Sequence, residues 1–144
     1  PDYCLDLDDI KAWEAEHGAI PKHAWVLYRT GWSQYSEDPT AYSNADDNGP
    51  HTPGLTPAAA RYLADQTDIL GMGVETVGTD AGGAMGFDPP FPCHALLMGA
   101  NKYGVTQLRN VDKLPTTGSV VVVAPLPIVK GSGSPCRVLA FVSR

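Results

Sequence analysis

No run of about 18 apolar residues occurs in this chain, so no segment has the length and character of a bilayer-crossing helix. Clusters of Lys or Arg are missing as well. Ten basic side chains face 16 acidic ones, a formal net charge of −6, which argues against a nucleic-acid or anionic-membrane partner. Only three cysteines are present (Cys4, Cys93 and Cys136), widely spread and with no Cys-x-x-Cys pair. That pattern argues against a disulfide framework and fits a reducing cytoplasm. The sequence also lacks a Walker A loop, a His-Glu-x-x-His helix and a Gly-x-Ser-x-Gly elbow. It begins at Pro1 with no Met and no signal-peptide pattern, as Met removal, processing or truncation would each leave it.

What the chain does contain is globular in balance: 144 residues, 43 % apolar and 18 % charged. This length suggests one domain and suffices for a sizeable core. Gly (15) and Pro (13) are above ordinary usage, so much of the molecule is expected to be loops of fixed shape.

Along the chain, Asp6 to Gly18 predicts a short helix, with Asp residues at its positive end, Ile10 and Trp13 on one face and Gly18 as a left-handed C-cap. Ala24 to Thr30 predicts a mostly buried strand. Gly31 to Leu55 has no periodicity and interleaves Trp32, Tyr35 and Tyr42 with turn residues, which points to an ordered, site-forming loop. Thr56 followed by Pro57 and alanines marks a second helix start. A strand is predicted over Asp68 to Glu75, then a Gly- and Pro-rich irregular segment from Thr76 to Pro92. A short helix over His94 to Lys102 follows. Further strands are expected at Val105 to Leu108, at Ser119 to Pro125 (buried, with four consecutive valines) and at Cys136 to Val142, with Gly131 to Pro135 turning the last hairpin. The class is α/β.

Few residues announce chemistry individually. Gly71-Met72-Gly73 begins like a dinucleotide fingerprint but lacks the third Gly and a following helix, so small residues in a strand explain it better. Asp46-Asp47-Asn48-Gly49 lacks the spaced ligands of a calcium loop, and an Asx turn is the default. Cys93 adjoins His94, yet neighbours on a helix point apart, so Cys93 is expected to be structural. His17 and His23 read as surface residues. His51 and His94 each follow a long irregular loop and lie near prolines, which makes them the histidines of interest.

Taken together, several stretches resemble one family. They are Trp25 to Trp32, Pro53 to Ala60, Gly73 to Thr76 with Thr79-Asp80, Phe91 to Leu97, Gly99 to Leu108, Asn110 to Pro115, Ala124 to Ile128 and Gly131 to Val138. In this order they are similar to the cyclase family of metal-dependent hydrolases, which includes kynurenine formamidase and isatin hydrolase. The resemblance implies a swivelling β/β/α domain, a mixed sheet with flanking helices. It implies residues 1–144 as the C-terminal portion of that domain, apparently lacking its N-terminal part. The implied activity is opening of a cyclic amide, lactone or N-formyl amide by water activated on Mn²⁺ or Zn²⁺. The family's His-x-Gly-Thr-His-x-Asp-x-Pro-x-His motif is absent, and no His-x-x-x-His occurs here, so the catalytic His and the main ligands are expected upstream of residue 1.

The resemblance further implies that His94 and Gln107, thirteen positions apart, are metal-site residues. A neutral Gln in place of Glu favours a single-metal site. Glu75 and Asp80 fall at acidic family positions, where capping or loop bracing is the expected role. Trp32, His51 and Phe91 are candidate walls of a substrate pocket. The expected partners are a small-molecule substrate and either further copies of the chain or a companion N-terminal fragment. The competing reading is a non-catalytic domain that keeps the fold and binds a ligand or subunit.

Overall fold

Asp6 and Asp9 fix where the first helix begins. The Asp6 carboxylate accepts the Leu7 N–H at 2.7 Å, and Asp9 reaches back to the Asp6 N–H at 2.9 Å. This reciprocal box satisfies donors that a helix start leaves unpaired. The computed structural model describes residues 1–143 and falls into two units, one ending at Val111 and the other beginning at Asp112.

In the first unit, strand β1 (Cys4–Leu5) leads into helix α1 (Leu7–His17), which buries Ile10 and ends at Gly18. Gly18 has positive φ as expected, but its ψ of 167° is extended rather than left-handed helical. Strand β2 (Trp25–Tyr28) follows and is half-buried. The stretch expected to be irregular holds a 3₁₀ turn (Trp32–Tyr35) and a short helix α2 (Pro39–Ser43). A hairpin of β3 (Ala45–Asp46) and β4 (Gly49–Pro50) comes next, then β5 (Gly54–Leu55), which pairs in parallel with β1. The hairpin's turn is the predicted Asx turn, with the Asn48 N–H donating to Asp46 Oδ1 at 2.7 Å.

Helix α3 (Pro57–Asp65) starts as Thr56 and Pro57 dictate, the Thr56 hydroxyl accepting the Ala59 N–H at 3.2 Å. Its buried face (Ala59, Ala60, Leu63, Ala64) joins Ile10, Leu55, Ile69, Met72, Val74, Cys93 and Leu97 in one core. Strand β6 (Gly71–Val74) is the central strand of a parallel sheet ordered β2-β6-β7, with β7 at Tyr103–Val105. Gly71 is required by packing: a Cβ there would lie 2.4 Å from the Tyr103 carbonyl oxygen of β7. The small residues of this strand therefore serve neighbours, not a nucleotide. Two elements differ from expectation. The helix after Pro92 is a π-helix, Cys93–Met98. The strand expected at Val105 to Leu108 ends at Val105, because Gln107 turns into the left-handed region at φ +60°.

The second unit contains an antiparallel hairpin of β8 (Val120–Pro125) and β9 (Cys136–Phe141), in register from Val120↔Phe141 to Pro125↔Cys136. The run of valines was expected to be buried. Here it is not: Val120 and Val122 are exposed, as are Leu139 and Phe141 opposite them. Continuous apolar strands are covered on both faces when sheets stack, and this unit's own described residues form only one two-stranded ribbon.

Candidate functional site

The parallel sheet ends in a buried carboxylate. Glu75 directly follows β6 and is 1 % exposed. Its Oε2 accepts the N–H groups of Thr30 (2.6 Å) and Gly31 (2.5 Å) and the Thr30 hydroxyl (3.1 Å), while Oε1 accepts the Ser33 hydroxyl at 2.7 Å. Four donors make burial of this charge tolerable. The Tyr42 hydroxyl donates to the Glu75 backbone carbonyl at 2.5 Å, and burial raises the Tyr42 pKa. Glu75 thus pins the loop after β2 onto the end of β6, the bracing role expected for it.

Five residues on, the buried Asp80 performs a second bracing task. Oδ1 accepts the Cys93 N–H at 2.6 Å, and Oδ2 accepts the His94 N–H at 3.3 Å and pairs with His94 Nδ1. One carboxylate therefore fixes the start of the π-helix and aims the imidazole. A carboxylate only accepts, so Nδ1 carries a proton, and in the neutral ring the lone pair lies on Nε2. The His94 side chain is 60 % exposed, which leaves Nε2 accessible. Cys93 is fully buried, and burial followed by the nearby Asp80 pushes its thiol well above the ordinary range. It is a structural residue.

Beyond β7, the Gln107 N–H donates to the Thr76 carbonyl and the Leu108 N–H to the Val74 carbonyl, each at 2.9 Å. Leu108 is buried, while Gln107 and Arg109 on either side are exposed. These residues, with Ser36, Pro39 and Tyr42 from the braced loop, line a hollow of about 210 Å³. The Gln107 side chain has no hydrogen-bond partner among the described residues. Arg109 Nη1 contacts Glu37 at 2.7 Å. Arg109 went unremarked in the sequence. No sequence signal marked it, because the strand ends at Val105 and Gln107 has positive φ, so strand alternation does not place position 109.

The predicted site residues do not all converge. His94 is not among the residues lining the hollow beside Gln107. Trp32 is buried, its indole N–H donating to the Tyr42 carbonyl at 2.9 Å, and is not among the residues lining the hollow. Phe91 is 40 % exposed, three residues before His94, with φ +50°. His51 is elsewhere, held between Asp2 (2.9 Å) and Asp46 (3.2 Å).

The hydrogen bond to Asp2, then that to Asp46, raises the His51 pKa above 6.5. A raised folded-state pKa gives stability that is full below the unfolded value and lost as pH rises through the folded one. Stability is therefore expected to fall between pH 6.5 and the raised value, and His51→Gln is expected to flatten that fall. An NMR titration of the ring, with urea midpoints across the same range, checks this. A midpoint dependence unchanged in the variant would assign the effect to other groups.

An imidazole oriented by a carboxylate and an unpartnered carboxamide are both able to ligate a divalent cation. Among the described residues, however, no group of three or more His, Cys, Asp or Glu side chains is placed to hold one.

A family model described as "Putative cyclase" matches residues 1–81. With the α/β fold and the carboxylate-aimed histidine already described, this match is decisive: the chain belongs to the cyclase family. Its relatives can be named more closely. Over all 144 residues it is 50 % identical to an isatin hydrolase of Roseibium aggregatum, of whose length it covers 54 %. Among solved structures, it matches an isatin hydrolase bound to the product analogue thioisatinate at 50 % identity and a TM-score of 0.97, covering all of this chain and 55 % of that one. Isatin hydrolase A from Labrenzia aggregata bound to benzyl benzoate (51 %, 0.95) and isatin hydrolase A from Ralstonia solanacearum (47 %, 0.96) match over 99 % of this chain and 55 % and 54 % of theirs. The chain spans about half the length of these relatives.

Proposed function

We propose that this chain is the C-terminal portion of a metal-dependent hydrolase that opens a cyclic amide of the isatin type, the remaining ligands and the catalytic His coming from residues outside it. The observation that carries this reading is the 50 % identity to isatin hydrolase across the whole chain. The buried Asp80, which pairs with Nδ1 of His94 and so turns Nε2 outward for ligation, supports it. When bound, a divalent cation (Mn²⁺ or Zn²⁺) lowers the pKa of a bound water and polarises the substrate carbonyl.

This chain's own residues supply position. Asp80 holds the His94 tautomer, His94 and Gln107 present the donors that this half contributes, and Glu75 fixes the loop facing Gln107. Trp32, His51 and Phe91 stand as candidate substrate contacts. Three free cysteines accord with a reducing cytoplasm, and the exposed faces of the β8–β9 hairpin accord with association.

The test uses the protein that carries this chain. Dialysis against a chelator should abolish hydrolysis of isatin, and added Mn²⁺ or Zn²⁺ should restore it. A protein that binds neither metal, and opens neither isatin nor simple lactones and N-formyl amides, would instead be the non-catalytic domain.

A further inference from the structure

We infer that the hollow bounded by Ser36, Pro39, Tyr42, Gln107, Leu108 and Arg109 seats an aromatic carboxylate, with Arg109 as the residue that reads its charge. On the reading above, which this inference deepens, that carboxylate is the one generated when a cyclic amide opens.

The shape and lining carry the argument. At about 210 Å³ the hollow exceeds the ~150 Å³ that holds a benzene ring in an apolar cavity, so it admits one ring with a small polar appendage. Pro39, Leu108 and the Tyr42 ring supply apolar surface for the ring. Gln107 and Arg109 line the same space. The Gln107 carboxamide is unpartnered among the described residues. Arg109 commits Nη1 to Glu37 and leaves its remaining N–H donors uncommitted, in the fork that matches a carboxylate.

The backbone is built to present this pair. Gln107 is held at φ +60°, a region disfavoured for residues with a side chain, with its own N–H donating to the Thr76 carbonyl and the Leu108 N–H to the Val74 carbonyl. That arrangement turns Leu108 inward and leaves positions 107 and 109 facing out. Glu37 is 84 % exposed, so its hold on Arg109 is a weak surface pair that an incoming carboxylate can replace.

The charge logic suits the reaction. Hydrolysis of a cyclic amide breaks the C–N bond, gives OH from water to the acyl carbon and H to the nitrogen, and the resulting acid ionises. A neutral substrate becomes an anion. A guanidinium at the rim therefore distinguishes product from substrate.

The experiment measures binding of anthranilate and of its neutral counterpart anthranilamide to the metal-loaded protein by calorimetry. Variants Arg109→Gln, Arg109→Lys and Glu37→Gln are compared. Arg109→Gln should weaken anthranilate by about ten- to a hundredfold and leave anthranilamide unchanged. Arg109→Lys should recover part of the loss. Glu37→Gln, which removes the competing carboxylate, should tighten anthranilate by up to about fivefold, whereas a merely structural ion pair would give weaker binding or none.

Equal loss for both probes in Arg109→Gln, or no saturable binding of anthranilate to the parent protein, overturns the inference. Isatin turnover is recorded separately. Charge-selective binding without turnover would defeat the proposed function and leave this inference standing. Turnover without charge selectivity would do the reverse.

Discussion

Glu75→Ala is expected to destabilise the first unit by about 3–5 kcal/mol, among the largest effects of any single substitution in it. The carboxylate is fully buried and accepts four hydrogen bonds from Thr30, Gly31 and Ser33. Truncation leaves those donors facing a cavity, and a buried unsatisfied donor costs about 1–3 kcal/mol. The losses are not additive, because the freed loop relaxes toward solvent. Glu75→Gln keeps the size and one acceptor oxygen for the Thr30 and Gly31 N–H groups, while the Ser33 hydroxyl can turn to accept from the new amide. Its expected cost is about 1–2 kcal/mol. Denaturant midpoints at constant slope measure both. A loss below about 1 kcal/mol for Glu75→Ala would mean that the loop is held by its other contacts. The consequence for the site is direct, since Ser36, Pro39 and Tyr42 hang on this segment.

On the proposed function, Asp80→Asn is expected to lower kcat/KM by about a hundredfold or more, at a stability cost of about 1 kcal/mol. The amide oxygen can still accept the Cys93 N–H, so the π-helix keeps its first tie, while the His94 N–H loses its weaker acceptor. Opposite His94, however, an NH₂ group replaces an acceptor. Nδ1 must then give up its proton to become the acceptor, which moves the proton to Nε2 and removes the accessible lone pair. The histidine remains in place in the wrong tautomer. ¹⁵N shifts of the His94 ring report the proton's position independently of turnover, and Asp80→Glu is expected to restore the Nδ1–H form in part. Full activity in Asp80→Asn, or an unmoved ring proton, would show that Asp80 serves only the backbone of residues 93 and 94.

What could be read from the sequence was local. Helices α1 and α3 start where Asp6 and Thr56 cap them, and the turn at Asp46 closes on its own side chain, because each of these contacts spans only a few residues. The bracing roles of Glu75 and Asp80 were legible as roles through the family resemblance. Their partners were not, since Thr30 and Ser33 lie more than forty positions from Glu75. The π-helix at Cys93–Met98 is tied at its first residues by Asp80, a tertiary contact with no periodic signature. Likewise, the early end of β7 comes from Gln107, whose polar side chain gives no warning of positive φ. Four consecutive valines read as a buried strand because apolar runs usually are. Exposure depends on what is stacked against them, which composition does not encode. For His51 the sequence offered a histidine in a loop, and only folding brought Asp2 and Asp46 to either side of it.

The parallel order β2-β6-β7 also sets a timetable. The β8–β9 hairpin and helices α1 and α3 need only near neighbours and can form within microseconds. The Thr30–Glu75 contact closes a loop of 45 residues, and it rewards the chain only after that closure entropy has been met. The carboxylate knot is thus placed late in assembly, with little of its stabilisation present at the barrier. Substitutions at Glu75 should then leave the refolding rate nearly unchanged and appear almost entirely as faster unfolding. Residence time in the folded state, more than the speed of reaching it, is what this buried charge controls.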